Sequence, residues 1–70
     1  MILFDRTIYL KEAVEQACVD YRGLAEIKLK ETEKQFLCEI KNTQADPVLT
    51  ADEFCNYVLN LTIIMSGAGN

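Results

Sequence analysis

The sequence contains no histidine. With it go the commonest general base, the commonest neutral metal ligand and every Ser-His or Cys-His nucleophilic pair. Catalysis would have to rest on carboxylates or thiols. Cysteine is scarce and odd in number: Cys18, Cys38 and Cys55 are spread widely, which fits neither a disulfide framework nor the paired spacing of a structural zinc site, so they read as reduced thiols. Long apolar runs are missing too, and the longest is far too short to cross a bilayer. The opening Met1-Ile2-Leu3-Phe4 meets Asp5-Arg6 at once, with no small-residue cleavage site behind it, so no secretory signal is read and a cytoplasmic location is expected. Nor is there a basic stripe. Seven basic against eleven acidic side chains leave a net charge of −4, with the lysines interleaved among glutamates, which disfavours nucleic acid and anionic membrane surfaces as partners.

What is present is a folding domain. Half of the residues are apolar, enough to exclude disorder. A chain of 70 residues buries only about 60% of its unfolded surface, so residues 1–65 are expected to share one thin core, with 66–70 (Ser66-Gly67-Ala68-Gly69-Asn70) a flexible tail. Any function must then sit on the outside.

The hydrophobic pattern changes period along the chain. Ile2 to Tyr9 mixes β-branched, aromatic and apolar residues and predicts a first strand. Leu10, Ala13, Val14, Ala17, Cys18 and Tyr21 then recur at helical spacing, with Lys11, Glu12, Glu15, Gln16 and Asp20 opposite. This helix has no strong side-chain cap at its start; Arg22 and Gly23 are expected to close it, the glycine in the left-handed conformation. Ala25, Ile27 and Leu29 next alternate with Glu26, Lys28 and Lys30 as a second strand, and Phe36, Cys38 and Ile40 alternate with Leu37, Glu39 and Lys41 as a third. The polar Glu31-Thr32-Glu33-Lys34 joins them in a hairpin whose turn, lacking glycine, has no assignable type. Asn42 to Leu49 reads as a loop. Thr50-Ala51-Asp52-Glu53 has the form of a capping box and predicts the start of a second helix. Its main stripe is Phe54, Tyr57, Val58, Leu61, Ile64 and Met65, widened by Cys55, Leu59 and Ile63.

These elements predict an α+β fold: a two-layer β-α-β-β-α sandwich with a three-stranded antiparallel or mixed sheet and both helices on one face, a truncated ferredoxin-like arrangement. If the third strand inserts between the other two, the first lies at an edge with unpaired amides, which invites pairing with another chain.

Little in the chain carries chemistry. The adjacent acids Asp52 and Glu53, and Glu31 with Glu33, fall at a helix start and in a turn, where acids belong in any case. Each cysteine falls within an apolar stripe and reads as a small buried hydrophobe. Ser66-Gly67-Ala68-Gly69 is no phosphate loop, because neither a lysine nor a helix follows. Tyr9, Tyr21 and Tyr57 place a ring in the core and a hydroxyl at its margin. The surplus apolar arc of the second helix is the one feature beyond ordinary packing.

Tyr9-Leu10-Lys11-Glu12-Ala13-Val14 leading into a short helix, then a hairpin, then Glu53-Phe54-Cys55-Asn56-Tyr57-Val58-Leu59-Asn60, resembles the His-Xaa-Ser system protein HxsD family over roughly Thr7 to Ile63. The Phe54-to-Leu59 stretch matches the family's Phe/Leu-x-Asn-x-x-Leu pattern; Asn60-Leu61-Thr62-Ile63 departs from it where family members carry charges. The resemblance implies a small accessory protein working beside a radical SAM enzyme that modifies a peptide or protein, with no catalytic residue to carry over.

The expected function is therefore a non-catalytic accessory subunit that binds protein, with a radical SAM enzyme or its peptide substrate as partner and a homodimer as its own state. No catalytic residue, cofactor or metal ligand is assigned. Two contact surfaces are expected: the first-strand edge at Leu3, Asp5, Thr7 and Tyr9, and the second-helix flank at Cys55, Leu59 and Ile63. The alternative is a small-metabolite regulatory domain using the Arg22-Gly23 and Asn42-Thr43 segments.

Overall fold

The structure, a computed structural model, describes residues 1–67. The expected tail is thus described only at Ser66 and Gly67; Ala68, Gly69 and Asn70 lie outside the described residues. The chain forms β1 (Ile2–Asp5), α1 (Lys11–Asp20), β2 (Glu26–Glu31), β3 (Gln35–Lys41) and α2 (Pro47–Met65). The α+β architecture is the one expected. β3 inserts between β1 and β2, and both pairings are antiparallel. β1 and β2 therefore run parallel to each other without touching, linked by α1 in a split β-α-β unit.

Strand alternation sorts the side chains. Ile2 and Phe4 of β1, Phe36, Cys38 and Ile40 of β3, and Ile27 and Leu29 of β2 share the inner face, because the registers pair Phe4 with Phe36 and Leu29 with Cys38. Against them pack Val14 and Ala17 of α1 and Phe54 and Val58 of α2, so both helices cover one face and one core results. Phe4 meets the rings of Tyr9 and Phe54 edge-on at 4.9 and 6.0 Å, and Tyr21 meets Phe54 at 5.2 Å.

β1 is shorter than its composition predicts. The Asp5 carboxylate accepts from both the amide and the hydroxyl of Thr7, and the Asp5 carbonyl accepts from the amides of Ile8 and Tyr9. This aspartate turn competes with the ladder and ends the strand at Asp5. The Tyr9 ring returns to the core from a turn, not from an edge strand.

α1 does begin without a side-chain cap, at Leu10. Its end differs from expectation. Tyr21 is the cap residue, its amide donating to the Ala17 carbonyl, and the Tyr21 carbonyl in turn accepts from Leu24 and Ala25. Among the described residues the left-handed ones are Asn42, at φ 52° after β3, and Gly67, at φ 77° after α2, and not Gly23. The hairpin turn manages without glycine because Thr32 works as its staple: its hydroxyl accepts from the amides of Lys34 and Gln35, while its own amide donates to the Gln35 carbonyl.

α2 starts earlier than the capping-box reading places it. Asp46 is the N-cap, accepting from the amides of Val48 and Leu49 at 2.8 and 3.2 Å, and Pro47 occupies the first turn, where a missing N–H costs nothing. Thr50 lies inside the helix and donates its hydroxyl to the Asp46 carbonyl. Pro47 was thus a start signal and not a loop residue. No described helix is long and apolar enough to cross a membrane.

Candidate functional site

The two helices differ in length, and that difference leaves both ends of α2 without a helical neighbour. α1 has ten residues and α2 nineteen, about 15 and 28 Å of axis at 1.5 Å per residue. They run antiparallel: Leu10, ahead of α1, donates its amide to the Thr62 hydroxyl at 3.4 Å, while at the other end Tyr57 donates to the Asp20 carboxylate and Tyr21 packs on Phe54. α1 therefore flanks α2 only between about Phe54 and Thr62, and both ends of α2 overhang it.

Along α2 burial follows a strict i, i+4 line of Thr50, Phe54, Val58 and Thr62. The wider stripe read from the sequence is corrected at its far end: Ile64 and Met65 are exposed at 70% and 43%, beside Leu59 at 39% and Ile63 at 40%. At the opposite overhang Val48 and Leu49 are exposed as well. Sequence reasoning found Leu59 and Ile63 by counting surplus apolar residues. It missed Val48 and Leu49, taken for a loop, and assigned Ile64 and Met65 to the core. The missed signal was Thr62, a polar residue at the buried spacing of Phe54 and Val58.

The remaining expected contact residues are dispersed. Leu3 and Asp5 are exposed on β1, and Thr7 is exposed in the turn that follows. Tyr9 and Cys55 are half-buried against the core. Thr7 and Tyr9 do not extend the strand edge, which leaves β1 a short template for another chain.

Charge at the open end of the sheet is organised around Glu31, which Arg6 meets at 2.8 Å and Lys11 at 3.1 Å. The Arg6 guanidinium also donates to the Thr32 carbonyl and lies 5.1 Å from the centre of the Phe36 ring. A residue following β1 thereby reaches across β3 to β2. The hydrogen bond from Lys11, joined by the charge of Arg6, holds the Glu31 carboxyl below its ordinary value, as hydrogen bonds from Thr7 do for Asp5 and from Lys41 for Glu39.

The thiols behave as core groups. Hydrogen bonding from Cys38 holds Cys18 below its ordinary value, while the same interaction and burial push buried Cys38 far up. Burial and then the charge of Asp52 raise Cys55. No group of three or more His, Cys, Asp or Glu among the described residues is arranged to hold a metal ion.

A pocket of about 280 Å³ opens between α1 and β2, lined by Cys18, Val19, Arg22, Ala25, Glu26 and Ile27. Nearby the Gln44 amide donates to the Leu24 carbonyl, bringing the loop after β3 against the turn after α1. Of the two segments singled out for metabolite binding, Arg22 lines the pocket, while Asn42 and Thr43 do not.

Comparison with protein-family models, curated proteins and solved structures finds no match to this chain.

Proposed function

We propose that the protein is a non-catalytic, protein-binding accessory subunit, docking through the C-terminal overhang of α2. The observation that carries this is Ile63, Ile64 and Met65, exposed at the end of α2 beyond the stretch that α1 flanks, with Leu59 exposed one turn before Ile63. Leu59 and Ile63 lie one turn apart on one side of the helix, and apolar side chains exposed together cost solubility and earn their place by meeting a partner. In keeping with the resemblance to the HxsD family, the partner is a radical SAM enzyme of peptide modification or the peptide it acts on, and the chemistry belongs to that enzyme.

The test is co-purification with a radical SAM enzyme of peptide modification from the same genome, comparing wild type with the double variant Leu59→Glu, Ile63→Glu. Both positions are already open to water, so the variant is expected to keep its fold by circular dichroism and to bind roughly tenfold more weakly or worse. Equal capture by a folded variant would remove the surface from consideration.

A second reading, a regulatory domain for a small metabolite, is supported by the pocket that Arg22 lines, near the point where Gln44 meets Leu24. A thermal-shift screen decides it: a stabilising metabolite whose effect vanishes in Arg22→Ala supports the pocket, and a flat screen removes it.

A further inference from the structure

The exposed edge at β2 has a feature that the β1 edge lacks, and it follows from ladder parity. The Thr32 amide donates to the Gln35 carbonyl, so Thr32 and Gln35 form a hydrogen-bonded pair. In the observed register Lys30 with Leu37, Lys28 with Glu39 and Glu26 with Lys41 then face β3 in the same way. By alternation the main-chain groups of Ile27, Leu29 and Glu31 point outward, along a six-residue edge. At β1 the Arg6 amide donates to Lys34, which leaves only Leu3 and Asp5 pointing outward on a four-residue strand.

The side chains along β2 are complementary to their own reverse. Read in opposite directions, Glu26-Ile27-Lys28-Leu29-Lys30 sets Glu26 opposite Lys30, Ile27 opposite Leu29 and Lys28 opposite itself. This alignment places the hydrogen-bonded pairs at Ile27 and Leu29, the residues whose main-chain groups are outward. It also keeps each face intact: half-buried Ile27 and Leu29 extend the apolar side, and exposed Glu26, Lys28 and Lys30 extend the wet one. The like charges of the two central lysines are each offset by Glu39, the cross-strand neighbour of Lys28. Val19 and Leu24, both exposed near this edge, add apolar surface beside it.

The geometry points to a symmetric dimer of this chain through antiparallel β2–β2 pairing, with Glu26–Lys30 ion pairs across a two-fold axis at Lys28. The two three-stranded sheets join into one. This interface is separate from the α2 overhang, and neither inference rests on the other.

Charge reversal tests it. Glu26→Lys and Lys30→Glu each place like charges opposite across the axis and are expected to weaken the wild-type dimer roughly tenfold in sedimentation equilibrium. Mixing the two variants restores both ion pairs, because one copy then carries lysine at both positions and the other glutamate. Heterodimer in preference to either homodimer is the expected result, and a fold defect in one variant could not produce it. Independently, the central pair is non-hydrogen-bonded, with Cα atoms about 4.5 Å apart, close enough for a disulfide. Lys28→Cys should therefore cross-link to itself under mild oxidation, with the bridge at residue 28 by peptide mapping. A wild type that sediments as a monomer at all concentrations, dimerisation indifferent to both reversals, or variants that do not prefer each other would overturn the proposal. The Leu59→Glu, Ile63→Glu variant should dimerise normally, so failure here and failure of the α2 docking surface are read separately.

Discussion

Thr62 shows how one side chain decides a local structure that its own neighbourhood does not explain. α1 starts at Leu10 without a side-chain cap, and the Leu10 amide finds its acceptor 52 residues away in the Thr62 hydroxyl. A polar group at the buried i+4 position of α2 is tolerated because it is used. Thr62→Val keeps the shape and removes the acceptor, and is expected to cost about 1–2 kcal/mol in urea unfolding, most of it from the orphaned amide. Thr62→Ser should recover most of the loss. A valine variant as stable as wild type would mean that water serves the amide instead. Thr32 and Asp5 act in the same way at shorter range, each satisfying backbone amides that a ladder cannot reach.

At the scale of the element, ends matter more than middles. Helical and strand periodicity placed both helices and the β2–β3 hairpin, since burying one face requires apolar residues at every turn or every second residue. The boundaries moved because caps compete. Asp46 followed by Pro47 outbid Thr50 with Glu53 for the start of α2: a proline at N1 forfeits no helical bond, and starting earlier adds a turn. α1 closes at Tyr21 through ordinary main-chain bonds, so Gly23 has no left-handed conformation to supply and nothing lies within 4 Å of where its Cβ would be. Gly23→Ala is accordingly expected to stabilise the protein by about 0.4–1 kcal/mol, through the entropy of the unfolded chain. A lower melting temperature in calorimetry would show that the position needs glycine after all.

For the whole molecule, smallness governs both stability and surface. With so thin a core, the pairs at its margin tie distant segments together: Arg6 and Lys11 converge on Glu31 from either side of the first turn, and Tyr57 joins α2 to Asp20 of α1. Asp5, Glu31 and Glu39 all have folded-state values below their ordinary ones, so their contribution is present above the ordinary carboxylate range and lost as pH falls through the lowered values. Tyr57 is held above its ordinary value by donating to Asp20, and its contribution is present at neutral pH and lost as pH rises through the raised value. Buried Cys38 and half-buried Cys55 are raised as well. The urea midpoint should therefore be level around neutrality, fall below about pH 4 and fall again above about pH 9, where the thiols of the unfolded chain ionise first and its tyrosines next. Asp5→Asn should shrink the acid arm alone. A midpoint independent of pH across the acid range would show that these carboxylates bind protons equally in both states.

The sequence by itself determined the element order, the two-layer α+β architecture and the absence of histidine chemistry, because these depend on periodicity and composition, which are local. It also marked Leu59 and Ile63 as surplus, since apolar residues can be counted against the faces available to bury them. Only the tertiary structure decided which surplus stayed outside. Met65, two turns after Val58 on the core-facing side of α2, is exposed because α1 starts level with Thr62 and does not reach it, and the length of one helix against another is a relation between segments that neither contains. The β1 edge fell from prominence for a similar reason: the turn at Asp5 cut the strand, and the ladder's parity, set by the hairpin, turned the longer row of free amides outward along β2.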